Sequence, residues 1–354
     1  MVLSRKMTRR SLATVAASAL AASFTLVGQA SAETIELKVS HYLPPSHTIQ
    51  KELTRWADEL GRKSGGRLEL TVFPAGQMGP LPRQFDLART GVADISFFLH
   101  GALPGRFPVT EVAQLPYVFD RKTDKGLAAM SVSEASAVMT SLSDRLAKEH
   151  EGTRILYVIT SPTVGIYLHK PAVRDPKGLA GMRIRHNGPV TSAMVSAWGA
   201  SPVAMPPSEV ADALDKGTLD GMMFNFEAAQ AFQLARSLKS VTVLNATAAT
   251  FGLVMNEQKY RSLPEDLRKL IDDTTGVAAA RRVGKVYDDA EAAGRAYVAG
   301  AGVEIIDPTA AEAEAFRAPT LAISDKIFAG AGAKGAELKA FRDELVARVA
   351  AGAP

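Results

Sequence analysis

Hydrophobic positions along the chain switch repeatedly between two periods. In Glu36-Leu37-Lys38-Val39-Ser40-His41-Tyr42, leucine and valine alternate with polar residues, the two-residue period of a strand with one buried face, and Pro44-Pro45 cannot continue a ladder. The strand therefore runs into a loop carrying His41 and Tyr42. Leu53, Trp56, Ala57 and Leu60 then recur at i, i+3, i+4 and i+7, the stripe of a helix packed on a sheet. A strand over 67–73, a short helix begun by 85–88 and ended near Gly91, and a strand over 94–98 follow. Strand, helix and strand in this order predict an α/β lobe with parallel pairing.

The plan then repeats. Residues 155–159, 166–169 and 182–185 read as strands, and 191–198 as a helix closed by Gly199. Ser208 stands at the cap of another helix with Val210, Ala213 and Leu214 on its apolar side, ended by Gly217, and 218–224 returns to the sheet. After a strand over 251–256, Ser262-Leu263-Pro264-Glu265 has the spacing of a capping box with proline in the first turn. A helix from there into the 280s or 290s would be ~45 Å long, enough to lie across two lobes. The expected fold is a two-lobed α/β binding-protein architecture with hinge strands: 33–161 and 250–289 as lobe 1, 162–249 and 290–354 as lobe 2.

The first 32 residues stand outside this plan. Arg5, Lys6, Arg9 and Arg10 precede an apolar run over 12–27, and Ala30-Ser31-Ala32 is a small-x-small cleavage site. The run holds Thr14, Ser18, Ser23 and Thr25 and falls short of the ~20 apolar residues that span a bilayer. It reads as an export signal cleaved after Ala32, with Sec and Tat routes both open because of the paired arginines. Removing its four basic residues from a total of 41 leaves 37 Lys and Arg against 37 Asp and Glu. The basicity belongs to the signal, and nothing calls for a nucleic-acid or anionic-membrane partner. With no cysteine, the chain has no disulfide or thiol chemistry. A soluble monomer in the periplasm is expected.

Catalytic and metal motifs are absent. Gly330-Ala331-Gly332-Ala333-Lys334-Gly335 matches G-x-G-x-x-G but follows a helical pattern where a dinucleotide site needs a strand, so it reads as a flexible connection. His41, His47, His100, His150, His169 and His186 show no i, i+4 pair of the kind that holds zinc. No cofactor, metal or catalytic residue is expected. Gly178-Leu179-Ala180-Gly181-Met182-Arg183-Ile184-Arg185 is the best candidate binding element. Alternation sends Arg183 and Arg185 to one face at the end of a strand, just before the turn Asn187-Gly188-Pro189. A guanidinium there can hold a carboxylate through a bidentate fork. Pattern alone leaves solvated surface charges as the alternative.

With these residues the chain resembles the periplasmic solute-binding proteins of tripartite ATP-independent (TRAP) transporters. The likeness rests on Ser64-Gly65-Gly66-Arg67-Leu68 with Phe73-Pro74-Ala75-Gly76-Gln77-Met78-Gly79, on 178–185, on Gly199-Ala200-Ser201-Pro202-Val203, on 215–221, and on Met255-Asn256 with Leu263-Pro264-Glu265-Asp266-Leu267. The resemblance implies a protein that closes around an organic acid and hands it to a membrane permease pair, and it places the family's carboxylate-binding arginine on Arg185. Many members carry a second arginine; that position falls here on Gly165, beside Val164. An asparagine that other members use on the ligand is replaced by Phe224 or shifted to Asn225.

Tyr42, Phe97, Phe98 and Phe224 gather at the expected cleft edges, with Gln77 and His41 nearby, and favour an apolar or aromatic ligand body. The expectation is a non-enzymatic binding component for a small organic acid, most simply a monocarboxylate. The alternatives are a binding protein feeding a sensor kinase and an exported enzyme on the same scaffold.

Overall fold

The computed structural model describes residues 34–124 and 126–352; the export signal expected over 1–32 lies outside them. The strands are β1 (Ile35–His41), β2 (Leu68–Phe73), β3 (Ile95–Leu99), the hairpin β4 (Asp120–Thr123) and β5 (Gly126–Ala129), β6 (Thr153–Thr163), β7 (Gly165–Leu168), β8 (Arg183–His186), β9 (Ser201–Ala204), β10 (Gly221–Phe224), β11 (Ser240–Thr242), β12 (Ala248–Asn256) and β13 (Glu304–Ile306). One sheet has the order β2-β1-β3-β12-β6 and the other β13-β11-β7-β10-β8-β9. Each forms the centre of a lobe.

The expected parallel pairing holds where strand–helix–strand units set it. β1 runs parallel to β2 and β3, and β8 parallel to β10 and β9. The sheets become mixed where the crossing strands enter: β12 is antiparallel to β3 and β6, and β7 to β10 and β11. A strand that comes from the other sheet needs no crossover helix, so the constraint that makes βαβ units parallel is lifted. The crossing itself is narrow. Only Val164 separates β6 from β7, and its backbone N–H donates to Thr247 O (2.8 Å), just before the returning strand β12.

The single long helix expected from 265 is two. The helix Glu265–Thr274 ends before Thr275, which is extended, and Gly276 at φ 72° starts the helix Gly276–Gly300. Nor does the capping box form: the Ser262 hydroxyl donates to the Lys259 carbonyl (2.7 Å), and Pro264 has no side-chain acceptor to offer. The 25 residues of the second helix, about 37 Å long, reach both lobes. They pack on the helix Val132–Ser141 and β6 at one end and on the helix Phe226–Ala231 at the other. A Cβ on Gly284 would lie 2.6 Å from Ser133 Cα and one on Gly294 2.3 Å from Phe226 O, so glycine permits close approach at both ends.

The core follows the sheets. Leu37, Val39, Ile95 and Leu253 bury against Leu53, Ile271 and Val283, while Tyr167, Met222 and Val241 bury against Leu214 and Val298. The tail divides: β13 extends the second sheet, and the helix Gly335–Ala351 packs on Val132–Ser141 and β4. The 330–335 glycines, read as a flexible connection, form a tight 3-10 turn between this helix and Ile323–Gly330.

Candidate functional site

The carboxyl ends of β1, β8 and β10 meet the crossing strands at a cavity lined by residues of both sheets. Arg185 enters it from β8 and is 3% exposed. Its Nε donates to Met205 O (3.0 Å), and its guanidinium lies 5.3 Å from the Phe224 ring centre. Among the described residues no carboxylate pairs with it. Burial therefore pulls its pKa down to about 10, offset only by the Tyr42 phenol. Desolvating a cation without a counter-charge is costly, so the site favours an arriving anion.

Arg183, two residues earlier on the same strand face, has the opposite environment. It is half exposed and bound to Asp220, with Nε to Oδ2 at 2.9 Å, and to Gly217 O. That hydrogen bond, with Lys170 alongside, holds Asp220 well below the usual carboxylate range. Of the two guanidiniums that alternation sends to one face, one is consumed by a salt bridge and the other lines the cavity with no carboxylate partner among the described residues.

Tyr42 and Phe224 line the cavity as expected. Burial raises the Tyr42 pKa, against the pull of Arg185, so the phenol stays a hydrogen-bond donor. Asn225 also lines it, but its Oδ1 is occupied capping the helix Phe226–Ala231 through Ala228 N (2.8 Å). Gly165 sits at the crossing, where a Cβ would come within 2.5 Å of Thr242 O. A side chain there, arginine included, requires β11 to move.

Four expected site residues lie elsewhere. Phe97 is fully buried behind the cavity, stacked on the lining ring of Phe251 at 5.4 Å. Phe98, its neighbour on β3, faces the opposite side of the sheet and packs on Phe85 and Phe107, as strand alternation requires. His41 turns inward to hold the loop after β1: its Nδ1 accepts from Leu43 N (3.2 Å), so Nε2 donates to Gln50 Oε1 (2.6 Å). Gln77 is exposed in the turn after β2, outside the cavity.

Leu99, expected with Phe97 and Phe98 at the cleft end of β3, does line the cavity. The rest of the wall was not anticipated: Phe232, Phe251 and Tyr287 supply apolar surface, and His47 and Glu227 supply polar atoms. His47 caps the helix Thr48–Lys63, and Glu227 lies in the first turn of Phe226–Ala231. Burial pushes His47 down to about 3, helped by His41 and Lys51. It lifts Glu227 to about 7 against the pull of Thr48, with Glu291 adding to the rise. A helix-capping histidine and an acid beside the Asn225 cap were the only local signals. Among the described residues no cluster of His, Asp and Glu is placed to hold a metal ion, and no helix is long and apolar enough to cross a membrane.

Comparison with known proteins agrees with this architecture. Residues 39–331 match the family described as bacterial extracellular solute-binding protein, family 7. A TRAP solute-binding protein from a marine metagenome, described as specific for aromatic acid ligands and solved with meta-hydroxyphenylacetate, superposes with a TM-score of 0.82 at 26% identity, covering 89% of this chain and 99% of that one. A TRAP solute-binding protein from Rhodoferax ferrireducens T118, solved with copurified benzoate, gives 0.81 at 26% identity, covering 89% and 98%. One from Bordetella bronchiseptica, solved with (R)- and (S)-mandelate, gives 0.77 at 27% identity, covering 88% and 98%.

Proposed function

Because the chain belongs to bacterial extracellular solute-binding protein family 7, we propose that it is an exported, periplasmic TRAP component that captures a monocarboxylic acid with an aromatic body and delivers it to a membrane permease pair. The observation that carries this reading is Arg185, a buried guanidinium with no carboxylate partner among the described residues, set in a cavity walled by Tyr42, Phe224, Phe232, Phe251 and Tyr287. The ligand carboxylate takes the fork of Arg185, with the Tyr42 hydroxyl as a further donor. Its ring packs against the aromatic wall.

The charge inventory limits the ligand to one carboxylate. Arg185 is the only cation among the described residues lining the cavity, and a second carboxylate enclosed without a cation bears a desolvation cost of several kcal/mol. Gly165, packed against Thr242 O, leaves no room for the arginine that other members place there. The solved relatives with benzoate, mandelate and meta-hydroxyphenylacetate support the same ligand class. The family and fold are those of solute-binding proteins, and no catalytic step enters the reading. Closure around the ligand is a hinge motion at the strand crossing, driven by tighter binding to the closed form.

A thermal-shift screen tests this. Benzoate, phenylacetate and mandelate are the expected hits, and ligand at 100 times its dissociation constant adds ~2.7 kcal/mol of stability. Succinate, malate and sialic acid are the expected negatives. Stabilisation by succinate or sialic acid, with none by any aromatic acid, rejects the proposal.

A further inference from the structure

We propose that His47 and Glu227 form a hydroxyl-binding subsite in the cavity, so that the acid held by Arg185 carries a hydroxyl group. The inference rests on the carboxylate reading above and deepens it. It starts from an atom without a partner: Glu227 is 3% exposed, and its Oε1 makes no hydrogen bond. A buried carboxylate oxygen in that condition is expensive to maintain unless something arrives to use it.

The surroundings define what can arrive. Thr48 stands near the Glu227 carboxyl and works against its burial-raised pKa. Thr48 and Lys51 line a separate outer groove with Glu227, whereas His47, Phe232 and Tyr287 share the ligand cavity with it. Oε1 is the Glu227 oxygen that stands 3.5 Å from His47 Nε2, and both side chains line the cavity. Nδ1 of His47 accepts from Ile49 N (3.1 Å), which puts the proton of the neutral ring on Nε2. Burial keeps the ring neutral, its pKa down to about 3.

The subsite thus presents one donor, Nε2–H, and one acceptor, Oε1, too far apart to satisfy each other well. A hydroxyl between them accepts from the first and donates to the second. An ether or ketone only accepts and an ammonium only donates, while a second carboxylate brings its charge against that of Glu227. Ring contacts lead from one anchor to the other: Arg185 lies over Phe224, Phe224 is 6.2 Å from Phe232, and Phe232 is 6.2 Å from the His47 ring. An aromatic body along this wall can put its carboxylate on Arg185 and its hydroxyl at His47 and Glu227.

Titration calorimetry with benzoate, phenylacetate, their hydroxylated isomers and the corresponding methoxy acids tests the subsite. At least one hydroxy acid should bind wild type about tenfold or more tighter than its parent, and its methoxy analogue, which cannot donate to Oε1, should lose that gain. Glu227→Leu removes the acceptor and should bring the ratio of hydroxy acid to parent close to one. The wild-type comparison needs no variant and stands even if Glu227→Leu misfolds. If no hydroxy acid exceeds its parent, or if methoxy and hydroxy acids bind alike, the subsite is overturned and the carboxylate reading survives. If none of these acids binds, both fall.

Discussion

The Phe85, Phe98 and Phe107 cluster and the cavity wall of Tyr42, Phe224, Phe232, Phe251 and Tyr287 are built from similar rings to different ends. In the first, rings pack at 5.0–5.3 Å. The two imidazoles among them meet at 3.0 Å, each with its Nδ1 2.9 Å from a backbone carbonyl. These are His100 and His150, neutral rings whose two N–H protons serve two of the three contacts. In the second, Arg185 has only the Met205 carbonyl on its Nε, and Glu227 Oε1 has no hydrogen-bond partner. Aromatic content does not distinguish a packing cluster from a cavity wall; Glu111, Arg55 and Arg282 also bury unpartnered polar atoms, and what sets the wall apart is that its unpartnered charged groups line a cavity.

The largest expected effect comes from exchanging roles across this comparison. Phe98→Ala should cost about 3–5 kcal/mol of stability, as large-to-small changes in a full core do, and leave ligand affinity within about threefold. Urea unfolding and calorimetry read the two separately. A loss of affinity without a loss of stability would put Phe98 in the site after all.

Glu227→Gln should be smaller and opposite in sign. The carboxyl, lifted to about 7 in the fold from its ordinary 4.5, is penalised when ionised. That penalty is absent below about pH 4.5, grows through pH 7 and is complete above it. The facing groups are His47 and Lys51 on one side and Tyr42, Tyr287 and Glu291 on others. The glutamine variant should be more stable than wild type by on the order of 2 kcal/mol at pH 8, with the gap closing toward pH 4.5. A pH-independent gap in melting temperature contradicts the burial argument.

The smallest effect belongs to Arg183→Ala. Lys170 remains on Asp220 at 2.9 Å, and an exposed pair is worth about 1 kcal/mol or less. Affinity should stay within about tenfold of wild type. A loss equal to that at Arg185 would mean both guanidiniums reach the ligand.

Much of this was readable in the sequence, for local reasons. Strands such as β1 and helices such as Thr48–Lys63 follow from two- and 3.6-residue periods, and the resemblance singled out Arg185. What escaped depends on partners far along the chain. Alternation puts Phe97 and Phe98 on opposite faces without saying which face meets the cavity; their pairing with Leu253 and Gly252 settles it. Arg183 and Arg185 look alike until Asp220, 37 residues on, takes one of them. His47 and Glu227 meet across the two lobes, and no spacing links them. The break at Thr275 was hidden because a lone glycine such as Gly276 costs a helical pattern only about 1 kcal/mol.

The central claim is that Arg185 holds a single carboxylate through a bidentate fork. Its most direct test is benzoate titrated calorimetrically into wild type and into Arg185→Lys, which keeps the charge and removes the fork. Loss of a buried charged contact costs about 2–5 kcal/mol, so the lysine variant should bind roughly thirtyfold to several thousandfold more weakly at unchanged stoichiometry. Equal affinity in the two proteins, with both folded, would contradict the account.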